Sequence, residues 1–176
     1  MSASAAKWLL ASVIVARGSS FLFSKFILVS MNPFELLGLR FLLAFAFLLL
    51  VYRKRVMRTF SWDMVRKGAI LGITLALGMA AEMLSLKETD VYLTAFLENM
   101  ALAIVPLLTM AALRKLPSGK IIASVFIISV GAGFLTLKGG RPDITPGVIY
   151  GLLAALSYAF FIFLTAKYVK TLDPLS

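Results

Sequence analysis

Six long apolar runs, separated by short polar segments, constrain this chain more than any other feature. A helix needs about 20 mainly apolar residues to cross the roughly 30 Å hydrocarbon core of a bilayer. The runs cover residues 8–29, 34–52, 68–86, 91–113, 121–137 and 147–169. The sequence therefore predicts an all-α integral membrane protein with six transmembrane helices.

Composition supports the same conclusion, because 61% of the 176 residues are hydrophobic and only 15% are charged. Soluble domains average about 45–50% apolar and about 25% charged residues. A soluble fold of this size keeps a large part of its chain at the surface, so it cannot hide this excess of apolar side chains. We expect the lipid bilayer to be the partner that solvates them.

The net charge of +10 follows a pattern that membrane topology explains. Cytoplasmic loops of membrane proteins carry an excess of Lys and Arg. With the N-terminus in the cytoplasm, ten basic residues fall in inside segments and three in outside loops. The three outside residues are Lys87, Lys138 and Arg141. We therefore predict a multi-pass protein of the plasma membrane with a cytoplasmic N-terminus, and no nucleic-acid partner.

The chain lacks the usual signatures of catalysis. It contains no Cys and no His, which excludes disulfides, thiolate or imidazole metal ligands and the commonest general base near neutral pH. Neither the phosphate-binding Gly-x-x-x-x-Gly-Lys-Ser/Thr loop nor the Gly-x-Ser-x-Gly nucleophile turn occurs in it. We expect no enzyme activity, no cofactor and no metal site, and a membrane-embedded enzyme is the weakest alternative.

A weak internal repeat links the sixth run to the first, at offsets that drift from 143 to 141 residues. The echoing pairs are Leu9-Leu10-Ala11 with Leu152-Leu153-Ala154, Ser24-Lys25-Phe26 with Ala166-Lys167-Tyr168, and Asn32-Pro33 with Asp173-Pro174. Five spans separate the copies, so the second copy enters the membrane from the opposite side. This inverted repeat is typical of transporters. It predicts a first five-helix repeat over residues 1–142 and the first helix of an inverted second repeat over 143–176.

Several short motifs occur in an order that resembles the EamA-type members of the drug/metabolite transporter superfamily. The motifs are Arg17-Gly18-Ser19-Ser20-Phe21, Pro33, Arg40-Phe41, Val105-Pro106, Arg114-Lys115-Leu116-Pro117-Ser118 and the Gly-rich stretch 129–135. The resemblance implies a transporter of small organic solutes built from ten helices in two five-helix halves. Two departures stand out: Arg17 replaces the usual Trp, and the six runs suggest a truncated product or fragment of such a transporter.

Charged side chains inside a membrane span are costly and therefore usually face a bundle interior or a wet cavity. Arg17 lies about 13 Å into the first run, and Glu98 about 10 Å into the fourth run from its outer side. An ion pair between them is geometrically feasible if their helices are neighbours. The pair either stabilises the structure or lines a substrate path, and we favour the second interpretation.

Four further residues are candidates for the same region. Glu82, near the outer end of the third run, suits a cavity or a helix interface equally. Arg40 either snorkels outward or has a cavity-lining or helix-packing role, whereas Asn99 contacts solute or, as we favour, makes an interhelical hydrogen bond. Pro106 is expected to kink its helix, as a hinge or as a packing bend. The predicted substrate-binding residues are Arg17, Arg40, Glu82, Glu98 and Asn99, with Pro106 as the hinge.

Two expectations about packing follow from the same runs. Lys25, near the outer end of the first run, is expected to snorkel towards the interface. Gly68-x-x-x-Gly72 and Gly147-x-x-x-Gly151 each place two small residues on one helix face. Such pairs favour ordinary interhelical packing, with a dimer seam as the alternative.

The topology, the repeat and the resemblance together predict a secondary transporter, or permease, that moves a small organic solute by alternating access. The alternative is a non-transporting membrane subunit for interaction or assembly, or an inactive fragment of a ten-helix transporter. The expected partners are the bilayer, the solute, and either a second copy of the chain in a homodimer or a missing second half.

Overall fold

The computed structural model describes residues 3–58, 61–113, 119–138, 141–142 and 145–168. The helices are α1 (Ala3–Ile27), α2 (Pro33–Arg58), α3 (Trp62–Glu88), α4 (Val91–Asn99), α5 (Ala101–Leu113), α6 (Gly119–Thr136) and α7 (Pro146–Tyr168). Two short strands, β1 (Leu137–Lys138) and β2 (Arg141–Pro142), pair antiparallel between α6 and α7. The motif at 114–118 and the end of the predicted repeat at 173–174 lie outside the described residues.

The prediction of an all-α membrane fold is confirmed. Five helical stretches within the described ranges are long and apolar enough to cross a bilayer: Lys7–Ile27, Pro33–Arg53, Trp62–Glu88, Val91–Ala112 and Pro146–Tyr168. The remaining helix, α6, has 18 residues and coincides with the fifth apolar run. At 1.5 Å per residue it is about 27 Å long, which is close to the thickness of the hydrocarbon core.

The segment between the first and second apolar runs ends in an N-terminal helix cap. The side-chain oxygen of Asn32 accepts a hydrogen bond from the Phe34 amide at 3.3 Å, and the Asn32 amide donates to the Glu35 carboxylate at 3.2 Å. This reciprocal arrangement is a capping box. Pro33 occupies the first helical position, where its missing N–H costs nothing.

The fourth predicted span is divided at Met100 into α4 and α5. The Met100 amide donates to the Leu97 carbonyl at 3.0 Å, and the Ala103 amide donates to the Met100 carbonyl at 2.9 Å, so the chain tightens to an i to i+3 pattern. Pro106 lies inside α5 and has no N–H for the carbonyl of Leu102. The interruption therefore lies six residues before the proline, and the role of Pro106 as a hinge stays a prediction.

Small residues on α7 place it at the centre of the bundle, against α3, α4 and α5. Ala154, Ala155 and Ala159 are completely buried. Because lipid tails are as apolar as side chains, close packing of small residues is a main source of attraction between membrane helices. A fraction of 39% of the α7 span is buried, compared with 12% for α1 and 11% for α2, so α1 and α2 lie at the periphery.

The two glycine pairs differ in their surroundings. Gly147 contacts the end of α3, and Gly151 packs against Leu97 on α4, which is the ordinary packing that the sequence favours. In contrast, a Cβ atom placed on Gly68 or Gly72 meets nothing within 4 Å. The pair of Gly68 and Gly72 therefore faces away from the described helices, and a dimer seam there stays a prediction.

The Lys25 ammonium group reaches the turn that follows α3, and its snorkelling towards the interface stays a prediction. This ammonium group donates to the carbonyl oxygens of Leu86 at 2.6 Å and Thr89 at 2.7 Å, at the C-terminal end of α3. These carbonyls have no partner further along their own helix, and a cation is favourable at this end of the helix dipole. The lysine thus ties α1 to the turn between α3 and α4.

The packing at Gly147 gives a stability prediction. A Cβ atom there would lie 2.9 Å from Glu88 Cβ and closer still to the Thr89 methyl group. We expect Gly147→Ala to lower the free energy of unfolding by about 1–3 kcal/mol, the usual cost of overpacking. The measurement is an SDS titration of the protein in mixed micelles.

The matched control is Gly72→Ala, where the space is open. We expect this variant to be neutral or more stable by up to about 1 kcal/mol, because alanine favours helix over glycine. Equal changes in the two variants would contradict the close approach of α7 to α3.

Candidate functional site

A cavity of about 500 Å³ opens between α1, α3, α4, α5 and α7. Its polar lining consists of Arg17, Glu98, Asn99 and Tyr158, and most of the other lining residues are apolar or aromatic. Arg17 is the fifteenth of the 25 residues of α1, and Tyr158 is the thirteenth of the 23 residues of α7. The cavity therefore lies near the middle of these two spans.

A smaller cavity of about 240 Å³ adjoins the first. Arg17, Phe21, Leu75 and Tyr158 line both cavities. Arg40 and Glu82 line only the smaller one. The five residues predicted to bind substrate thus come together around two adjacent cavities, although their contact with a solute stays a prediction.

Arg17 of α1 forms an ion pair with Glu98 of α4, through Nη2 and Oε1. The Arg17 side chain is 57% exposed, whereas the Glu98 side chain is only 11% exposed. The guanidinium carbon also lies 5.7 Å from the centre of the Tyr158 ring, within the range of a cation–π interaction. The carboxylate is enclosed by the protein, and the guanidinium is the accessible charge of the pair.

Glu82 of α3 accepts a hydrogen bond from the Tyr158 hydroxyl of α7. Glu82 is 7% exposed, so the hydroxyl group solvates a carboxylate that has little access to water. The sequence analysis did not single out Tyr158. The available signal was a tyrosine near the middle of a span, away from the interface where tyrosines of membrane helices concentrate.

Arg40 of α2 turns towards α1. Its guanidinium donates to Ser20 Oγ at 2.7 Å and to Ser24 Oγ at 2.8 Å. Of the two alternatives for Arg40, outward snorkelling is therefore wrong, and the side chain both lines the smaller cavity and joins two helices. The two serines were not predicted, although hydroxyl groups inside a span commonly make interhelical hydrogen bonds.

Asn99 corrects a second expectation. Its side-chain amide donates to the Ala95 carbonyl of its own helix at 2.8 Å, so the favoured interhelical hydrogen bond is not the bond that this NH₂ group makes. The residue is exposed and lines the larger cavity. Its side-chain oxygen and its second N–H can therefore form hydrogen bonds with a molecule in the cavity.

The four ionisable side chains of the site are two guanidinium groups and two carboxyl groups. Their immediate partners differ. Arg17 and Glu98 pair with each other, Glu82 is bound by a neutral phenol, and Arg40 is bound by neutral hydroxyls. A charged group at this depth is costly unless protein or water solvates it. The arrangement can therefore hold a polar solute in a region that lipid surrounds.

These observations define a class, an α-helical multi-pass membrane protein with charged groups around a central cavity. The chain belongs to the EamA-like transporter family, whose sequence model matches residues 4–137. The match begins in α1 and extends through α6, and the family is one of transporters, not enzymes. No curated protein and no solved structure matches the chain.

The bond between Tyr158 and Glu82 gives a prediction for stability. Tyr158→Phe leaves the buried carboxylate without its hydroxyl donor, and we expect it to lower the free energy of unfolding by about 1–3 kcal/mol. The measurement is the fraction of protein that stays monodisperse by size-exclusion chromatography after heating in detergent.

Tyr150→Phe is the matched control on the same helix, since its hydroxyl makes no side-chain hydrogen bond to any described residue. We expect this variant to behave as the wild type. A Tyr158→Phe protein with the same heat resistance as the control would show that the hydroxyl does not stabilise Glu82.

Proposed function

We propose that this chain is a secondary transporter, or permease, that moves a small organic solute across a membrane by alternating access. The observation that carries the proposal is the convergence of Arg17, Arg40, Glu82 and Glu98, from four different helices, on two adjacent cavities. Membership of a transporter family supports it independently.

The size and lining of the larger cavity support a small organic solute. Sites for small molecules usually measure about 300–1,000 Å³ and combine an apolar wall with a few polar groups. The cavity of about 500 Å³ falls in this range, and Ile14, Leu102 and Phe161 contribute to its apolar wall. Arg17, Asn99 and Tyr158 are the polar groups that would orient the solute.

Movement by alternating access rests on the predicted inverted repeat, with its first copy over 1–142 and its second beginning at 143. In transporters of this design the solute binds near the midplane where the two repeats meet. The helix α7 would be the first of the second repeat, and it contributes Tyr158 to both cavities. The contact between α7 and α1 across Arg17 is thus the interface at which the two repeats would move.

The proposal includes a location in the plasma membrane with the N-terminus in the cytoplasm. The excess of basic residues in the segments assigned to the inside supports this orientation. The turn at Thr89–Asp90 would then face outward, and Ser61 would face the cytoplasm. The sidedness of chemical labelling at a cysteine introduced into each position tests the orientation.

Additional protein is also proposed to cover the open side of the site. A guanidinium that is 57% exposed near the middle of its span would be poorly solvated by lipid tails. Further helices or a second copy of the chain would complete the wall beside α1 and α2. Cross-linking in the native membrane tests this point.

The function is tested by uptake into proteoliposomes. Amino acids, nucleosides and cationic drugs would be screened for thermal stabilisation of the purified protein, and a stabilising compound would serve as the labelled tracer. We expect Arg17→Ala and Glu98→Gln each to reduce uptake by about tenfold or more, because each removes a polar group of the cavity lining and leaves its partner without a counter-charge.

Glu35→Gln is the matched control, an acid-to-amide change at an exposed cap that glutamine can also form. This variant should transport as the wild type does. Unaltered uptake in both the Arg17 and the Glu98 variants would remove the proposed site.

A further inference from the structure

We propose that the solute is a small organic monoanion with an apolar body, and that the free edge of the Arg17 guanidinium binds its carboxylate, sulfonate or phosphate group. This inference rests on the proposed transport function and adds the charge class of the solute. It depends on which charges around the cavities remain accessible to a visiting molecule.

Neither carboxylate of the site offers an open face to a cation. The Glu98 side chain is 11% exposed and is already paired with Arg17. Glu82 is 7% exposed and accepts the Tyr158 hydroxyl. A cationic solute would have to displace one of these partners and enter a buried position, which leaves another charge unpaired.

The Arg17 guanidinium, in contrast, is accessible and has unused donors. A guanidinium carries five N–H groups in one plane. The Glu98 pair uses Nη2, and the Tyr158 ring lies against the guanidinium group at 5.7 Å. Nη2 keeps a second N–H, and together with the N–H of Nε or Nη1 beside it this group can donate to two oxygens of one anion, which is the geometry that arginine uses to bind carboxylates and phosphates.

Arg40 adds to the positive character of the adjoining cavity. Its hydrogen-bond partners are the neutral hydroxyls of Ser20 and Ser24, which do not cancel its charge. Arg17 and Arg40 both line the smaller cavity, together with Glu82 as the carboxylate. Because Arg40 is already bound by two serine hydroxyls, Arg17 is the guanidinium that is open to a solute. One negative group per solute matches this one accessible guanidinium.

The side chains that line the larger cavity indicate what kind of body the solute carries besides its charged group. Ile14, Phe21, Leu102, Phe161 and Ile162 surround the larger cavity next to Arg17. A polar body would leave its hydrogen-bonding groups without partners against these side chains. The site therefore fits a compact apolar or aromatic body that carries one negative group.

The test is a binding series of three probes that share a body and differ in charge. The probes are 3-phenylpropanoate, the neutral 3-phenylpropanamide and the cationic 3-phenylpropylammonium, and binding to the purified protein is measured by calorimetry. We expect the anion to bind about tenfold tighter than either of the others, the order expected for a charge-assisted bidentate contact. Equal binding of the three probes, or a preference for the cation, would overturn the inference.

Variants at Arg17 test whether this side chain causes the tighter binding of the anionic probe. Arg17→Gln should remove the tenfold preference for the anion, and Arg17→Lys should keep part of it as a point charge without the planar fork. Arg53→Gln, an exposed change at the far end of α2, should leave it intact. If Arg17→Gln does not fold, the wild-type series and the lysine variant decide the outcome.

The failure of this inference is distinguishable from that of the proposed function. Anion binding without uptake of 3-phenylpropanoate into proteoliposomes would support the anion site and contradict transport. Uptake of a neutral or cationic solute, with no preference for the anion in the binding series, would contradict the anion site and leave the transporter proposal standing.

Discussion

A charged group near the middle of a bilayer must be solvated by protein or by water, and this constraint organises the structure. The ion pair between Arg17 and Glu98 joins α1 to α4, and the bond between Tyr158 and Glu82 joins α7 to α3. Arg40 joins α2 to α1 through two serines. The contacts of Arg17 and Arg40 thus add to the apolar cluster of Phe21, Leu36 and Met83 that packs α1 and α2 against α3.

The interior of the bundle depends on a different interaction. Alanines and glycines of α7 allow close approach to α3 and α4. This packing sets the position along α3 at which the Tyr158 hydroxyl donates to Glu82. At the C-terminal end of α3, Lys25 binds the last carbonyls of that helix. The site therefore lies between the closely packed interface of α3, α4 and α7 and the polar contacts that α1 and α2 make.

Hydropathy and spacing predicted the membrane class, the helix positions and a feasible meeting of Arg17 with Glu98, because depth in the bilayer follows from position in a span. They could not predict Tyr158 as a partner of Glu82, because that contact depends on the rotation of α7 against α3. The same holds for Lys25, whose acceptors belong to another helix. The break at Met100 also escaped prediction, since the sequence pointed to Pro106 six residues later.

We expect the charged cavity to hold water at a depth where the surroundings are lipid, because lipid tails alone would solvate the exposed Arg17 guanidinium poorly. The chain has no cysteine, so single cysteines can report on local water without background. We predict that Asn99→Cys, on the cavity wall, reacts with a membrane-impermeant thiol reagent in lipid vesicles, because the reactive thiolate forms only in water. Leu43→Cys, on a 64% exposed apolar position in the middle of α2, should stay unmodified. Equal resistance of the two cysteines would contradict a wet cavity.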